Sequence, residues 1–297
     1  MGRKRKGLKI DGWLVIDKPL GMTSTQAVGR VRRLTNAAKI GHGGTLDPLA
    51  SGILPIALGE ATKTIPFVMD ARKTYRFTVT WGEERSTDDA EGEIVARSDH
   101  RPTAAEIVAV LPQFTGTILQ RPPAFSAIKV DGKRAYDLAR AGEEVELKER
   151  EITIFSLRLE AFEEGAATFE VECGKGTYIR SLARDLAHAL GTVGYVSMLR
   201  RTKVGCFGES VSISLDNQDD LVHSAPLEDR ILPVETVLDD ILALAVTEEE
   251  AKRLQQGQKL TVPNCTTGLV RVTCNGKFIA LAECAENILK PVRVFNL

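Results

Sequence analysis

Aromatic residues supply only 5% of this 297-residue chain, too few to wall a sugar-binding cleft with stacked rings. The five cysteines, Cys173, Cys206, Cys265, Cys274 and Cys284, lie far apart and include no C-x-x-C pair. Neither a disulfide framework nor a structural zinc site is expected from them. The four histidines are scattered too, so no metal site is predicted. No apolar run approaches the length of a membrane span. The opening MGRKRKGLKI lacks the apolar core of an export signal. Lys6 also stands where a myristoylation site needs Ser or Thr. A reducing, cytoplasmic setting is the expectation, with Arg3, Lys4, Arg5 and Lys6 read as a solvated tail.

Net charge is the other thing missing, at −1. Its distribution says more than its sum. Between Pro226 and Glu250, eight acids (Glu228, Asp229, Glu235, Asp239, Asp240, Glu248, Glu249 and Glu250) face one base, Arg230. Elsewhere bases cluster: Arg30, Arg32, Arg33 and Lys39; Arg72, Lys73 and Arg76; Lys129, Lys133, Arg134 and Arg140; Arg200, Arg201 and Lys203. An acidic stretch can thus mask basic surfaces suited to a polyanion.

The patterning reads as α+β. Thr74 to Trp81 alternates, with Tyr75, Phe77, Val79 and Trp81 on one face of a strand. Ile152 to Leu159 and Thr168 to Cys173 read as two more strands, joined by a turn at Glu163-Glu164-Gly165. Helices are predicted over Ala104 to Leu111 and from near Thr177 to Gly191, the second turning Leu182, Leu186 and Ala189 inward. Residues 121–150 are rich in Lys, Arg, Gly and Glu and read as an excursion from the main sheet. Asn275-Gly276 between alternating runs is a hairpin signal. It marks a small β-rich unit over 243–297, appended to a larger unit over 1–242. A chain cut near residue 243 is expected to fold by itself and keep its chemistry.

The segment Gly41-His42-Gly43-Gly44-Thr45-Leu46-Asp47-Pro48-Leu49-Ala50-Ser51-Gly52 is the most unusual. Its glycines allow backbone angles closed to other residues, and Pro48 pushes Asp47 toward an extended conformation. Ile53-Leu54-Pro55-Ile56 anchors it from behind. The result is a carboxylate on a rigid loop with His42 nearby. No Gly-Lys-Ser/Thr follows, so this is not a nucleotide loop. From the residues alone, a reactive site and a simple turn cap are equally good readings of Asp47.

That segment closely resembles the signature of the TruB-type tRNA pseudouridine synthases, G-H-T-G-T-L-D-P-x-A-x-G-x-L. Further similarities follow in order: Asp17-Lys18-Pro19-x-Gly21-Met22-Thr23-Ser24, Lys73-Thr74-Tyr75-Arg76, and Pro122-Pro123-x-Phe125-Ser126-Ala127-x-Lys129. Gly174-Lys175-Gly176-Thr177-Tyr178-Ile179-Arg180-Ser181-Leu182 and Leu199-Arg200-Arg201 complete the set. The resemblance covers essentially the whole chain. It departs at Gly43, where Thr is usual, and at Phe125, where Tyr is common.

The resemblance implies a pseudouridine synthase fold: a mixed β-sheet core flanked by helices, an inserted thumb at about 121–150, and a small β-rich PUA-like domain. It implies isomerisation of the uridine at position 55 in the T loop of tRNA. The base would be flipped out, freed from C1′, rotated and rejoined through C5. No redox change occurs, so no cofactor is expected. Asp47 becomes the nucleophile, and attack at C1′ of the ribose or at C6 of the base both remain open. Arg180 becomes its cation partner. Tyr75 would stack on the uracil with its hydroxyl near the C5 proton, Tyr178 would line the base pocket, Leu199 would floor it, and His42 would fill the space the base vacates. Lys129, Lys133 and Arg140 of the thumb would hold phosphates. The T arm of tRNA is the implied partner, with no membrane, no obligate protein partner and a monomeric state. The rivals are a tRNA-folding chaperone without essential catalysis, a guide-RNA-dependent relative, and a glycosidase pairing Asp47 with an acid such as Asp89.

Overall fold

The structure, a computed structural model, describes residues 7–126, 128–130, 132–136, 147–215 and 227–297. In chain order it begins with β1 (Gly12–Lys18), α1 (Ser24–Thr35), β2 (Ile40–His42), β3 (Ala50–Leu58), α2 (Ile65–Asp70) and β4 (Lys73–Trp81). A hairpin β5 (Glu83–Arg85) and β6 (Ile94–Arg97), helix α3 (Ala104–Val110) and β7 (Gly116–Gln120) follow. Next come β8 (Lys129–Val130), β9 (Lys133–Arg134), β10 (Arg150–Glu163), β11 (Ala166–Cys173), α4 (Ile179–Ala189), β12 (Gly194–Val204), β13 (Phe207–Gly208) and β14 (Ile213–Ser214).

Ten of these strands form one mixed sheet, in the order β14-β1-β3-β12-β4-β11-β10-β7, with β2 added to β3 and β13 to β12. β1 runs parallel to β14, and β3 parallel to β12. The other pairs are antiparallel. The alternation in β4 is met: Phe77, Val79 and Trp81 are buried, while Arg76 before them is exposed and Thr78 and Thr80 between them are half-buried. α4 buries Ile179, Leu182, Ala183, Leu186 and Ala187 along one stripe. Ala189 differs from expectation and is exposed. The helix ends there, and Leu190 packs on the core instead.

The register across the sheet places residues far apart in sequence into one row. Lys18 on β1 pairs with Gly52 on β3, Gly52 with Arg201 on β12, and Arg201 with Tyr75 on β4. Adjacent strands lie about 4.8 Å apart, so the row spans roughly 14 Å. Gly52 has φ of 103°, and a Cβ there would meet the Arg201 carbonyl oxygen at 2.2 Å. Only glycine lets β3 and β12 approach at this point.

Three apolar clusters fill the body. One packs Phe77, Val79 and Trp81 against α3 and α4. A second packs Leu14, Ile16, Leu54 and Ile56 against α1. A third holds Trp13, Val15, Ile53, Val204 and Phe207 together with Phe278, Leu281 and Phe295 from the C-terminal region.

That region begins at β15 (Ala243–Ala245), which joins α5 (Glu248–Gln255), β16 (Leu260–Thr261), β17 (Gly268–Cys274), β18 (Lys277–Ala285) and β19 (Ile288–Val294). Its strands form a separate sheet, β15-β17-β18-β19-β16, with its own core around Leu254, Val272, Ala280 and Leu289. Asn275 and Gly276 take φ of 50° and 75°, and the hairpin they close joins β17 to β18. The cysteine expectation needs correction. Cys265 and Cys284 form a disulfide, because the fold brings the turn after β16 against β18 across 19 positions of sequence. No helix among the described residues is long and apolar enough to cross a membrane.

Candidate active site

The loop ahead of β3 is held from both sides. Thr23 caps α1 through a capping box with Gln26, which fixes where the next residue, Ser24, points. The Ser24 hydroxyl accepts from the Leu46 N–H at 2.8 Å and donates to the Leu46 carbonyl at 3.0 Å. The Gly21 N–H donates to the Pro48 carbonyl at 2.8 Å. Both neighbours of Asp47 are therefore tied to the opening motif. Asp47 itself presents a side chain that is 44% exposed.

Its partner is Arg180, on the first turn of α4 and only 8% exposed. One terminal nitrogen of Arg180 lies 2.9 Å from Asp47 Oδ2 and donates to the Phe125 carbonyl at 2.9 Å. The other lies 3.3 Å from Asp89 Oδ2 and donates to the Thr87 carbonyl at 3.0 Å. Asp89 is locked further, its Oδ1 accepting from Thr87 Oγ1 and from the Glu91 N–H at 3.1 Å. One guanidinium thus joins a half-exposed carboxylate to a buried one. A four-acceptor arrangement of this kind suits the planar fork of Arg and not the single ammonium of Lys. Asp89 lacks the freedom of an independent acid, which removes the geometric basis for a glycosidase pair.

Tyr75 and Leu199 sit at the seam of the two body cores that flank this loop. Both pack against the cluster under α3 and α4 and against the cluster under α1. Burial pushes the Tyr75 phenol up, with the Arg201 guanidinium beside it acting against the rise. His42, on β2, accepts from the Gly44 N–H at 3.3 Å through Nδ1. Burial first, and then the Arg201 charge, push the imidazole down. Tyr178 stands at the N-cap of α4, its backbone paired both ways with the Gln120 amide. Its ring faces the Arg150 guanidinium at 4.9 Å. The structure thus brings Asp47 and Arg180 into direct contact and places Tyr75 and Leu199 at one seam.

Of the thumb residues, Lys129 and Lys133 lie on the β8–β9 hairpin, where the backbone is described. Arg140 lies outside the described residues.

Comparison with known proteins gives the same direction along the whole chain. Residues 32–179 match the N-terminal domain of the TruB family pseudouridylate synthases, 180–239 match the tRNA pseudouridylate synthase B C-terminal domain, and 243–295 match the pseudouridine synthase II TruB C-terminal domain. A tRNA pseudouridine synthase B from Bradyrhizobium diazoefficiens is 56% identical, over 99% of this chain and 88% of its own.

The chain belongs to the TruB family.

A second TruB relative, the tRNA pseudouridine synthase B of Caulobacter vibrioides, is 52% identical over the full length of both chains. Among solved structures, an H/ACA ribonucleoprotein bound to a substrate RNA containing 2′-deoxyuridine superposes with a TM-score of 0.74 over 100% of this chain and 92% of that chain. At 23% identity it shows the shared pseudouridine synthase fold. TruB enzymes isomerise uridine to pseudouridine, and the mixed sheet with its β-rich C-terminal unit is theirs.

The departure from the TruB signature at Gly43 has a steric counterpart. A Cβ at position 43 would meet Val68 Cγ1 at 2.5 Å. Val68, on α2, occupies the space that the usual Thr side chain would need. At the second departure, Phe125 makes an edge contact with Tyr136 at 6.1 Å and lends Arg180 its backbone carbonyl. Neither use needs a phenol.

Two charged residues at this site, Lys18 and Arg201, have no role in the reading of the sequence, and a third, Asp89, enters it only as the second acid of the glycosidase rival. Lys18 is fully buried and donates to the Pro19 and Met22 carbonyls at 2.9 and 2.7 Å. Burial lowers its ammonium to about 8, with Asp47 opposing that fall. Arg201 is 1% exposed. Their placement depends on strand order, which no local pattern carries. For Lys18 and Arg201 the one available signal was their position inside the ordered motifs; Asp89 lies in none of them.

Proposed function

We propose that this chain converts the uridine at position 55 in the T loop of tRNA to pseudouridine, with Asp47 as nucleophile. The observation that carries the reading is the Asp47–Arg180 pair. A reactive carboxylate is held 2.9 Å from a buried cation yet left 44% exposed, beside the seam of Tyr75 and Leu199. A purely structural ion pair has no need to keep its carboxylate open to a ligand.

In this reading the uridine leaves its stack, at a cost of a few kcal/mol, and enters above Leu199. Tyr75 stacks on the ring. Its raised phenol stays neutral near neutral pH, so the hydroxyl relays the C5 proton by accepting it as its own proton leaves. Asp47 forms a transient bond to the nucleotide, at C1′ or at C6, which breaks again before the product leaves. In net terms the N1–C1′ bond breaks, the C5–C1′ bond forms, and the hydrogen lost from C5 is balanced by one gained at N1. His42, kept neutral by burial, fills the vacated space without bringing a charge into it. Tyr178 lines the pocket. Lys129, Lys133 and Arg140 engage phosphates from the thumb. Lys277, Lys290 and Arg293, exposed and in no ion pair among the described residues, extend the footprint onto a further part of the tRNA. The enzyme works as a cytoplasmic monomer without a cofactor. The region from 243 onward acts as the RNA-binding domain.

The test is tritium release from tRNA labelled at uridine C5. Release from unmodified tRNA, abolished when uridine 55 is replaced by cytidine, is the expected result. Release that persists without uridine 55 would place the substrate elsewhere.

A further inference from the structure

Arg201 is a cation buried where it has no carboxylate. Its guanidinium is 1% exposed, and among the described residues no acid forms an ion pair with it. It donates to three backbone carbonyls, through Nε to Ile53 at 2.8 Å and through its two terminal nitrogens to Thr45 at 3.3 Å and Gly44 at 3.1 Å, and it also lies against the Tyr75 phenol. Gly44 and Thr45 precede Asp47, and Ile53 follows it on β3. The same row of the sheet sets Arg201 between Gly52 and Tyr75.

Burying an unpaired cation costs stability, and a hydrocarbon of similar shape fills a core at least as well. Stability alone is therefore a poor account of this residue. What a guanidinium supplies and a hydrocarbon does not is a rigid planar fork that fixes several acceptors at once.

We infer that Arg201 is a positioning residue for the reaction, its guanidinium clamping the two arms of the Asp47 loop through three carbonyls so that the carboxylate stands at a fixed distance from the bound uridine. The inference rests on Asp47 being the nucleophile. Among the described residues Arg201 forms no ion pair or hydrogen bond with Asp47, so it reaches the carboxylate through the loop, while its contact with Tyr75 bears on the phenol. Ser24 and Gly21 hold the residues next to Asp47 from α1 and the turn before it. Arg201 holds the loop from the sheet beneath. With that floor removed, the loop keeps its outer ties and the RNA surface stays intact, while the carboxylate loses its register. A misplacement of about 1 Å costs on the order of a hundredfold in rate.

The test uses the full-length protein, unmodified tRNA and single-turnover tritium release, with tRNA affinity and thermal melting measured in parallel. Arg201→Lys keeps the charge and loses the fork. It is expected to bind tRNA within about threefold of wild type and to react about a hundredfold more slowly, with an unchanged pH profile. Arg201→Met removes the buried charge, and is the variant expected to fold if the lysine is not accommodated. It should show a rate loss of the same order. Either folded variant reacting at the wild-type single-turnover rate would overturn the inference. A loss confined to tRNA affinity or to melting temperature, with the rate constant of the folded protein unchanged, would overturn it equally. Asp47→Asn serves as the separate control. If that variant turns over, the nucleophile assignment fails, whatever Arg201 does.

Discussion

The body and the C-terminal sheet treat charge in opposite ways. Among the described residues, every buried charged side chain (Lys18, Lys73, Asp88, Asp89, Arg180 and Arg201) belongs to the body. The sheet from β15 to β19 buries none, and its core is Leu, Val, Ile, Ala and Cys. Its acids and bases sit at the edges, as where Glu250 closes the capping box on Thr247 and Arg271 meets Asp239 at 3.4 Å. A buried charge costs several kcal/mol before its partners compensate. Four of the six, Lys18, Asp89, Arg180 and Arg201, gather around the Asp47 loop, while Asp88 pairs with Arg184 and Lys73 donates to the Met69 and Ala71 carbonyls. The C-terminal unit is built for packing, and the body for holding a constellation of groups.

The two regions are nonetheless joined, and breaking the join should give the largest effect on stability. Phe278, Leu281 and Phe295 share a cluster with Trp13, Ile53 and Phe207. A chain ending at residue 242 would expose that face of the sheet. At about 1.5–3 kcal/mol for each of the three large apolar side chains lost, it should lose roughly 4.5–9 kcal/mol. This revises the expectation of an independently sound truncation. Urea denaturation of the two chains measures the difference. Equal stability would show that the apolar join contributes nothing.

Within the body, Arg180→Ala should cost less, about 3–5 kcal/mol, because it strands the buried Asp89 without a cation. It should also abolish turnover. A variant of wild-type stability would show that the burial of charge around Asp47 is not the expensive feature described here.

Tyr75→Phe separates chemistry from packing. The ring keeps its place at the seam, so tRNA affinity should hold within about threefold while the rate falls on the order of a hundredfold, the lower range for proton transfer by a placed group. Full activity in Tyr75→Phe, measured by tritium release, would remove the hydroxyl from the reaction.

Asp88 gives the smallest effect. Burial raises its carboxyl to about 6, although Arg184 lies 3.0 Å away. Its folded state holds a proton that the unfolded state has already lost between about pH 4 and 6. By linkage, this group makes stability fall as pH rises through that window. Asp88→Asn should remove that decline, a change of about 2–3 kcal/mol. Parallel pH–stability curves for the two proteins would mean that Asp88 does not titrate there.

The sequence made the local parts of this structure legible. The alternation of Tyr75, Phe77, Val79 and Trp81 is a property of seven consecutive residues, and β4 contains them. Asn275-Gly276 names its own turn. Asp47 stood out because glycines and a proline surround it, and Arg180 was reached through its motif. What escaped is the set of contacts made across the sheet. Arg201 meets Gly44 and Ile53 only because β12 inserts between β3 and β4. Asp89 meets Arg180 only because residues 87–89, between β5 and β6, lie against the start of α4. The Cys265–Cys284 disulfide was missed for the same reason. Buried polar partners are chosen by topology, and a periodic pattern does not report which strand lies next to which.

The central claim is that the body buries charge in order to present one carboxylate. Its most direct test is Asp47→Asn, assayed by tritium release from C5-labelled tRNA alongside tRNA affinity and urea denaturation. The account predicts no detectable release, tRNA affinity within about tenfold of wild type because phosphate contacts remain, and stability within about 1 kcal/mol because an exposed ion-pair partner contributes little. Release at a measurable fraction of the wild-type rate, from protein free of wild-type enzyme, would contradict it.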